Sequence, residues 1–206
     1  MAVWMWDPLR KAYIDPQGEP VSADRMLALR DTFLYEMQEI VTGVTQDLVE
    51  ERITLQQWEQ RMRDEVRISY VDLYVASKGG RAQMSPRDWG IVGHMLRDQY
   101  AYLRQFTDQI TAGMAPGVIG MRARQYIRSA SQAFERATTE RYGMPRLTQY
   151  PGDGQTACHG NCQCHLEIEE IENGWNVYWF LGIAEHCQDC VDMAAEWAPL
   201  FVPRAV

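Results

Sequence analysis

Residues 158–190 read CHGNCQCHLEIEEIENGWNVYWFLGIAEHCQDC, and their pattern decides the C-terminal fold. All five cysteines of the 206-residue chain lie inside this stretch, as Cys158-x3-Cys162-x-Cys164, a gap of 22 residues, then Cys187-x2-Cys190. Three of the four histidines, His159, His165 and His186, lie there too. A tetrahedral zinc site takes thiolate or imidazole ligands at about 2.0–2.3 Å, and short loops carrying paired thiolates build one with little chain. Between the clusters, 165–171 alternates loosely in strand fashion, Asn173-Gly174 is a two-residue hairpin signal, and 175–181 is aromatic and extended. Residues 189–197 then read as a short helix that begins inside the second cysteine pair.

Knuckle, hairpin and a helix whose first turn carries two ligands is the order of a treble-clef zinc fold, which is the expectation for this module. Its expected ligands are Cys158, Cys162, Cys187 and Cys190. Cys164 is the alternative, because alternate residues of an extended strand face one side, and His159, His165 or His186 can each replace a thiolate. The odd cysteine count, the tight spacing and the lack of a secretion signal argue against a disulfide framework. No βαβ pattern surrounds Cys187-x2-Cys190, which argues against a thioredoxin-like redox site.

Charge divides where the cysteines begin. The formal net charge is −8, and residues 151–206 hold nine acids against Arg204 alone, while residues 1–150 hold nineteen acids and nineteen bases. The whole excess therefore belongs to the cysteine end. With 46% apolar and 23% charged residues the composition is that of an ordinary globular chain. No run of about 18 apolar residues is present to span a membrane. Three regions are expected: an N-terminal arm over 1–21, a helical domain over 22–146 and an acidic zinc-binding module over 147–206.

The middle region is expected to be mainly α, a bundle of four long helices. Ser22 caps the first, with Met26, Leu29, Phe33, Met37, Ile40 and Val41 inward and Gly43 at its end. Thr54 and Gln57 form a capping box for the second, which carries Leu55, Trp58, Met62, Val66, Ser69 and Leu73 inward and stops at Gly79-Gly80. In the third, Ser85 caps, Pro86 takes the first turn and Asp88 completes the box, with Val92, Met95, Gln99, Leu103, Phe106 and Ile110 on one face. The fourth spans about 117–142, with Val118, Met121, Ile127, Ala130, Phe134 and Ala137 inward. Pro8, Pro16, Gly18 and Pro20 break periodicity in the arm, whose Trp4 and Trp6 either pack on the chain's own helices or dock into a neighbouring subunit. Arginine supplies 18 of the 20 bases. Arg122, Arg124, Arg128 and Arg136 on the fourth helix are candidates for phosphate or acidic-partner contacts.

Residues 83–113 (QMSPRDWGIVGHMLRDQYAYLRQFTDQITAG), the helix MRARQYIRSASQAFERA (121–137), CHGNCQC and EHCQDC together resemble the tailed-phage minor head, or head-morphogenesis, proteins. Asn161-Cys162-x-Cys164 is that family's most recognisable element, and the likeness covers about residues 50–195. In many members the Cys-x2-Cys pair precedes this element, whereas here it follows. The resemblance implies a low-copy, non-enzymatic component of the virion. It would meet portal or capsid subunits in the host cytoplasm during assembly, DNA packaging or ejection, with no catalytic residues to carry over.

Two alternatives stand beside it. One is a nucleic-acid-binding module that uses the arginines of the fourth helix, on DNA for example. The other is a zinc-dependent hydrolase or nuclease with Glu185 or Asp189 near the metal. The sequence holds no Gly-x-Ser-x-Gly elbow, no HExxH and no phosphate loop at Pro151–Gly154. Thiolates alone can close the shell, so structural zinc is the expectation.

Overall fold

Three hydroxyl side chains start the three longest helices. The computed structural model describes residues 4–204, and in it Ser22, Thr54 and Ser85 cap α1 (Ala23–Val49), α2 (Leu55–Lys78) and α3 (Pro86–Thr111). Both capping boxes close: Gln57 Oε1 accepts from the Thr54 N–H at 2.8 Å, and Asp88 Oδ2 from the Ser85 N–H at 2.9 Å. Donors that a helix start leaves unpaired are thereby satisfied locally. Asp88 is buried, and its Oδ1 accepts the Tyr74 hydroxyl at 2.9 Å and stands 3.1 Å from Lys78 Nζ, which ties the start of α3 to the end of α2.

Two helical expectations need correction. Gly43 does not end α1, which runs on to Val49 because Thr45 stays buried and Val44 and Leu48 pack on the core. That burial outweighs the cost of about 1 kcal/mol for an interior glycine. The buried line of α1 is Met26, Arg30, Leu34, Met37, Val41 and Thr45; Leu29 and Phe33 pack on the same core, while Ile40 is exposed. The expected fourth helix is two, α4 (Pro116–Arg128) and α5 (Ser131–Arg141), which makes the body five helices rather than a bundle of four. At the break Ser129 Oγ donates back to the Tyr126 carbonyl at 2.8 Å and meets the Tyr70 hydroxyl at 3.0 Å. Such side-chain back-bonding competes with the helix ladder, and Ala130, Gln132 and Ala133 bond three residues back instead of four. Ile119, Ala123 and Ile127 carry the inward face of α4, leaving Val118 and Met121 exposed.

The N-terminal arm is a small antiparallel sheet, β1 (Met5–Asp7), β2 (Ala12–Ile14) and β3 (Pro20–Val21), laid on the helices of its own chain. Trp4 is 9% exposed and shares the helical core with Tyr13 and Val21. Trp6 meets Tyr13 and Tyr142 edge-on, at 5.3 and 5.6 Å between ring centres. At the C-cap of α2, Gly79 has φ +88°, and a Cβ there would fall 2.3 Å from the Trp6 backbone nitrogen. Glycine is thus required twice, for its dihedral and for the close approach. Residues 1–3 of the expected arm, and 205–206 of the expected module, lie outside the described residues.

In the C-terminal region β4 (His165–Ile171) and β5 (Gly174–Phe180) form the hairpin, α6 (Gln188–Glu196) follows, and β6 (Leu200–Pro203) returns to pair with β5 in the order β4-β5-β6. The turn is Glu172-Asn173, one residue earlier than the Asn-Gly signal suggests, because Gly174 already pairs with Ile171. Its glycine serves the sheet: a Cβ would lie 2.2 Å from the Val202 carbonyl oxygen. Trp175, Val177, Trp179, Trp197 and Val202 form a second core with Met144, Leu147, Tyr150, Cys162, Cys164 and Cys190. Among the described residues no helix is long and apolar enough to cross a membrane.

Candidate metal centre

The cysteines converge at the seam between the two cores. Cys158 and Cys162 flank a single 3-10 turn (His159–Asn161), Cys164 leads into β4, and Cys187 caps α6 with Cys190 in its first turn. All five are free thiols. Cys158, Cys162 and Cys190 hold their sulfurs within 4.8 Å of one another and could hold a metal ion. Cys158 Sγ is 3.6 Å and Cys162 Sγ 3.7 Å from Cys190 Sγ. Thiolates about 2.3 Å from a tetrahedral ion stand about 3.8 Å apart, so these edges already have the right length.

Cys187, half-buried, lies beside Cys158 and Cys190, and fully buried Cys164 lies beside Cys162 and Cys190. His186 Nδ1 is 3.8 Å from Cys164 Sγ, while its Nε2 meets the Gly182 carbonyl at 2.8 Å. His159 and His165 point elsewhere: the first reaches the Gly154 carbonyl at 3.4 Å, and the second stacks on Phe180. The Cys162 thiol donates to Cys164, pulling Cys164 down to about 5 against the opposing effect of burial and pushing Cys162 up. Burial likewise raises Cys190. Burial opposes ionisation of Cys187, but the N–H groups of Cys190 and Cys158 prevail and lower it. Asp189 is engaged by the fold, accepting the Ala157 N–H at 2.7 Å and so pinning the start of α6 to the knuckle.

A feature missing from the sequence reading fastens this region to the helices. Arg30 of α1 and Glu135 of α5 are 2% and 1% exposed, with Arg30 Nη1 2.7 Å from Glu135 Oε1. The second oxygen, Oε2, accepts the Leu166 N–H of β4 at 3.0 Å, and Arg30 also reaches the Cys164 carbonyl at 3.5 Å. Gly160 lies so close to α4 that a Cβ would fall 2.7 Å from the Gln125 carbonyl oxygen. The cysteine loops are therefore shaped against the body, not merely appended to it.

The four candidate arginines do not form one stripe. Arg128 is largely buried, 3.7 Å from Asp31. Arg136 lies over Tyr150, and Arg122 over the Phe106 ring at 4.4 Å with a bond to Gln109. Arg124 alone of the four is exposed. Arg122, Arg124 and Arg128 lie on α4 and Arg136 on α5, and all but Arg124 are engaged within the chain, which is why the row of arginines in the sequence does not become a row on the surface. Trp4 and Trp6 are buried or half-buried against their own chain, so they are not a docking arm in this structure. Arg141 is the arginine that serves them: its guanidinium lies 4.1 Å from the Trp6 ring centre and 4.6 Å from that of Tyr13, and it donates to the Ser77 carbonyl at 2.6 Å. Burial lowers it to about 10, and it remains cationic at neutral pH.

No protein-family model, no curated protein and no solved structure matches this chain.

Proposed function

We propose that the chain is a non-enzymatic structural protein whose C-terminal module is a treble-clef-like zinc fold. A Zn²⁺ ion would sit on Cys158, Cys162, Cys187 and Cys190, with Cys164 the alternative. The observation that carries this reading is the group of three thiols within 4.8 Å of one another, two of its edges at tetrahedral length, built from a knuckle, a hairpin and a helix start. Zinc there would tie the knuckle to the start of α6 at the edge of the second core. The engagement of Asp189 with a backbone N–H supports a structural over a hydrolytic ion.

The assembly role follows from the likeness to phage minor head proteins: a component of the virion that meets portal or capsid subunits during head assembly, packaging or ejection. The packed helices α1 and α4 leave Tyr35, Val118 and Met121 exposed, apolar groups suited to a protein partner. Co-purification with portal or capsid protein and detection in assembled particles are the expected results; absence from particles overturns this role. DNA binding is the lesser reading, since three of the four candidate arginines are engaged within the chain. Its signature is an affinity that falls steeply with salt.

A further inference from the structure

We propose that the thiol cavity holds two zinc-type dications, the second on Cys164 and His186, with Cys162 and Cys190 shared between both. This rests on the zinc reading above and extends it. Five thiols and one imidazole, Cys158, Cys162, Cys164, His186, Cys187 and Cys190, line one cavity together with the Glu185 carboxylate, whereas one tetrahedral ion uses four ligands. Two tetrahedra that share an edge need six ligands, two of them bridging.

The contacts give the core of that form. Cys158 and Cys187 are neighbours at one pole. Cys164 and His186, 3.8 Å apart, make the other. Cys190 lies between the poles, beside all four other thiols, and Cys162 lies beside both Cys190 and Cys164. His186 is oriented as a metal ligand requires: with Nε2 donating to the Gly182 carbonyl, the lone pair of Nδ1 is left on the Cys164 side.

The test is the metal count of the zinc-loaded, reduced full-length chain by native mass spectrometry, with ¹¹³Cd-substituted protein examined by NMR. The expected result is two ions per chain and two cadmium resonances coupled through bridging sulfur. In the double variant Cys164→Ser, His186→Ala the count should fall to one, with the amide spectrum of α1–α3 unchanged. One ion per wild-type chain overturns the second site and leaves the single-zinc module standing. No ion in a reduced, folded chain overturns both. The wild-type count decides the matter even if the double variant fails to fold.

Discussion

Arg30 carries a charge into the place where the two cores meet. Its guanidinium and the Glu135 carboxylate are both fully enclosed, and the second carboxylate oxygen is spent on the Leu166 N–H. Arg30 Nε also stands 3.1 Å from the half-exposed Asp31, so Glu135→Gln leaves the buried guanidinium with its weaker partner alone and should cost about 3 kcal/mol in urea unfolding, the low end for a broken buried pair. Replacing both, as Arg30→Met with Glu135→Leu, should recover part of that loss; a double variant no better than the single one would show that the pair is not the source. Asp88 is the second informative residue. Burial raises its carboxyl, but bonds from Ser85, Lys78 and Tyr74 outweigh this and hold it below the ordinary carboxylate value. A depressed acid stabilises the fold above the unfolded-state value of about 4, and that contribution is lost as pH falls toward the folded value. Asp88→Asn should therefore lower the melting temperature at pH 7, and the gap to wild type should close below about pH 4.

At the scale of elements, the helix starts were readable because caps are local: Ser22, Thr54 and Ser85 act on residues three positions away. The knuckle, hairpin and short helix of the cysteine end were readable for the same reason, each having its own turn or ligand signal. What the sequence hid was set by distant contacts. Arg30 falls on the buried line of α1, at four-residue spacing from Met26 and Leu34, yet only its partner across 105 positions explains it. The break at Ser129 combines a local back-bond to Tyr126 with the distant Tyr70 hydroxyl, and β6 depends on β5 and has no local signature. The arm became a sheet because Gly79 admits Trp6. Gly79→Ala must both strain φ and push Trp6 away, so a loss of more than about 1 kcal/mol is expected. Unchanged stability, with the Trp6 fluorescence environment intact, would contradict that account.

For the whole molecule, the charge-neutral helical body and the acidic cysteine module are two cores with a shared seam rather than two separate domains on a tether. The seam is polar and specific, made of Arg30, Glu135, the Leu166 N–H and the close fit of Gly160 on α4. Stability should therefore be graded on metal removal. A chelator should speed amide exchange in β4, β5 and α6, while α2 and α3, whose buried Trp58, Leu73, Leu103 and Phe106 lie in the other core, keep their protection. Uniform loss of protection would mean that the body has no stability of its own. The central claim, that the cysteines form a zinc site, is tested most directly by X-ray absorption at the zinc edge on chain purified without chelator. The account predicts bound zinc with a sulfur-dominated shell at about 2.3 Å; no zinc, or a shell of oxygen and nitrogen only, would contradict it.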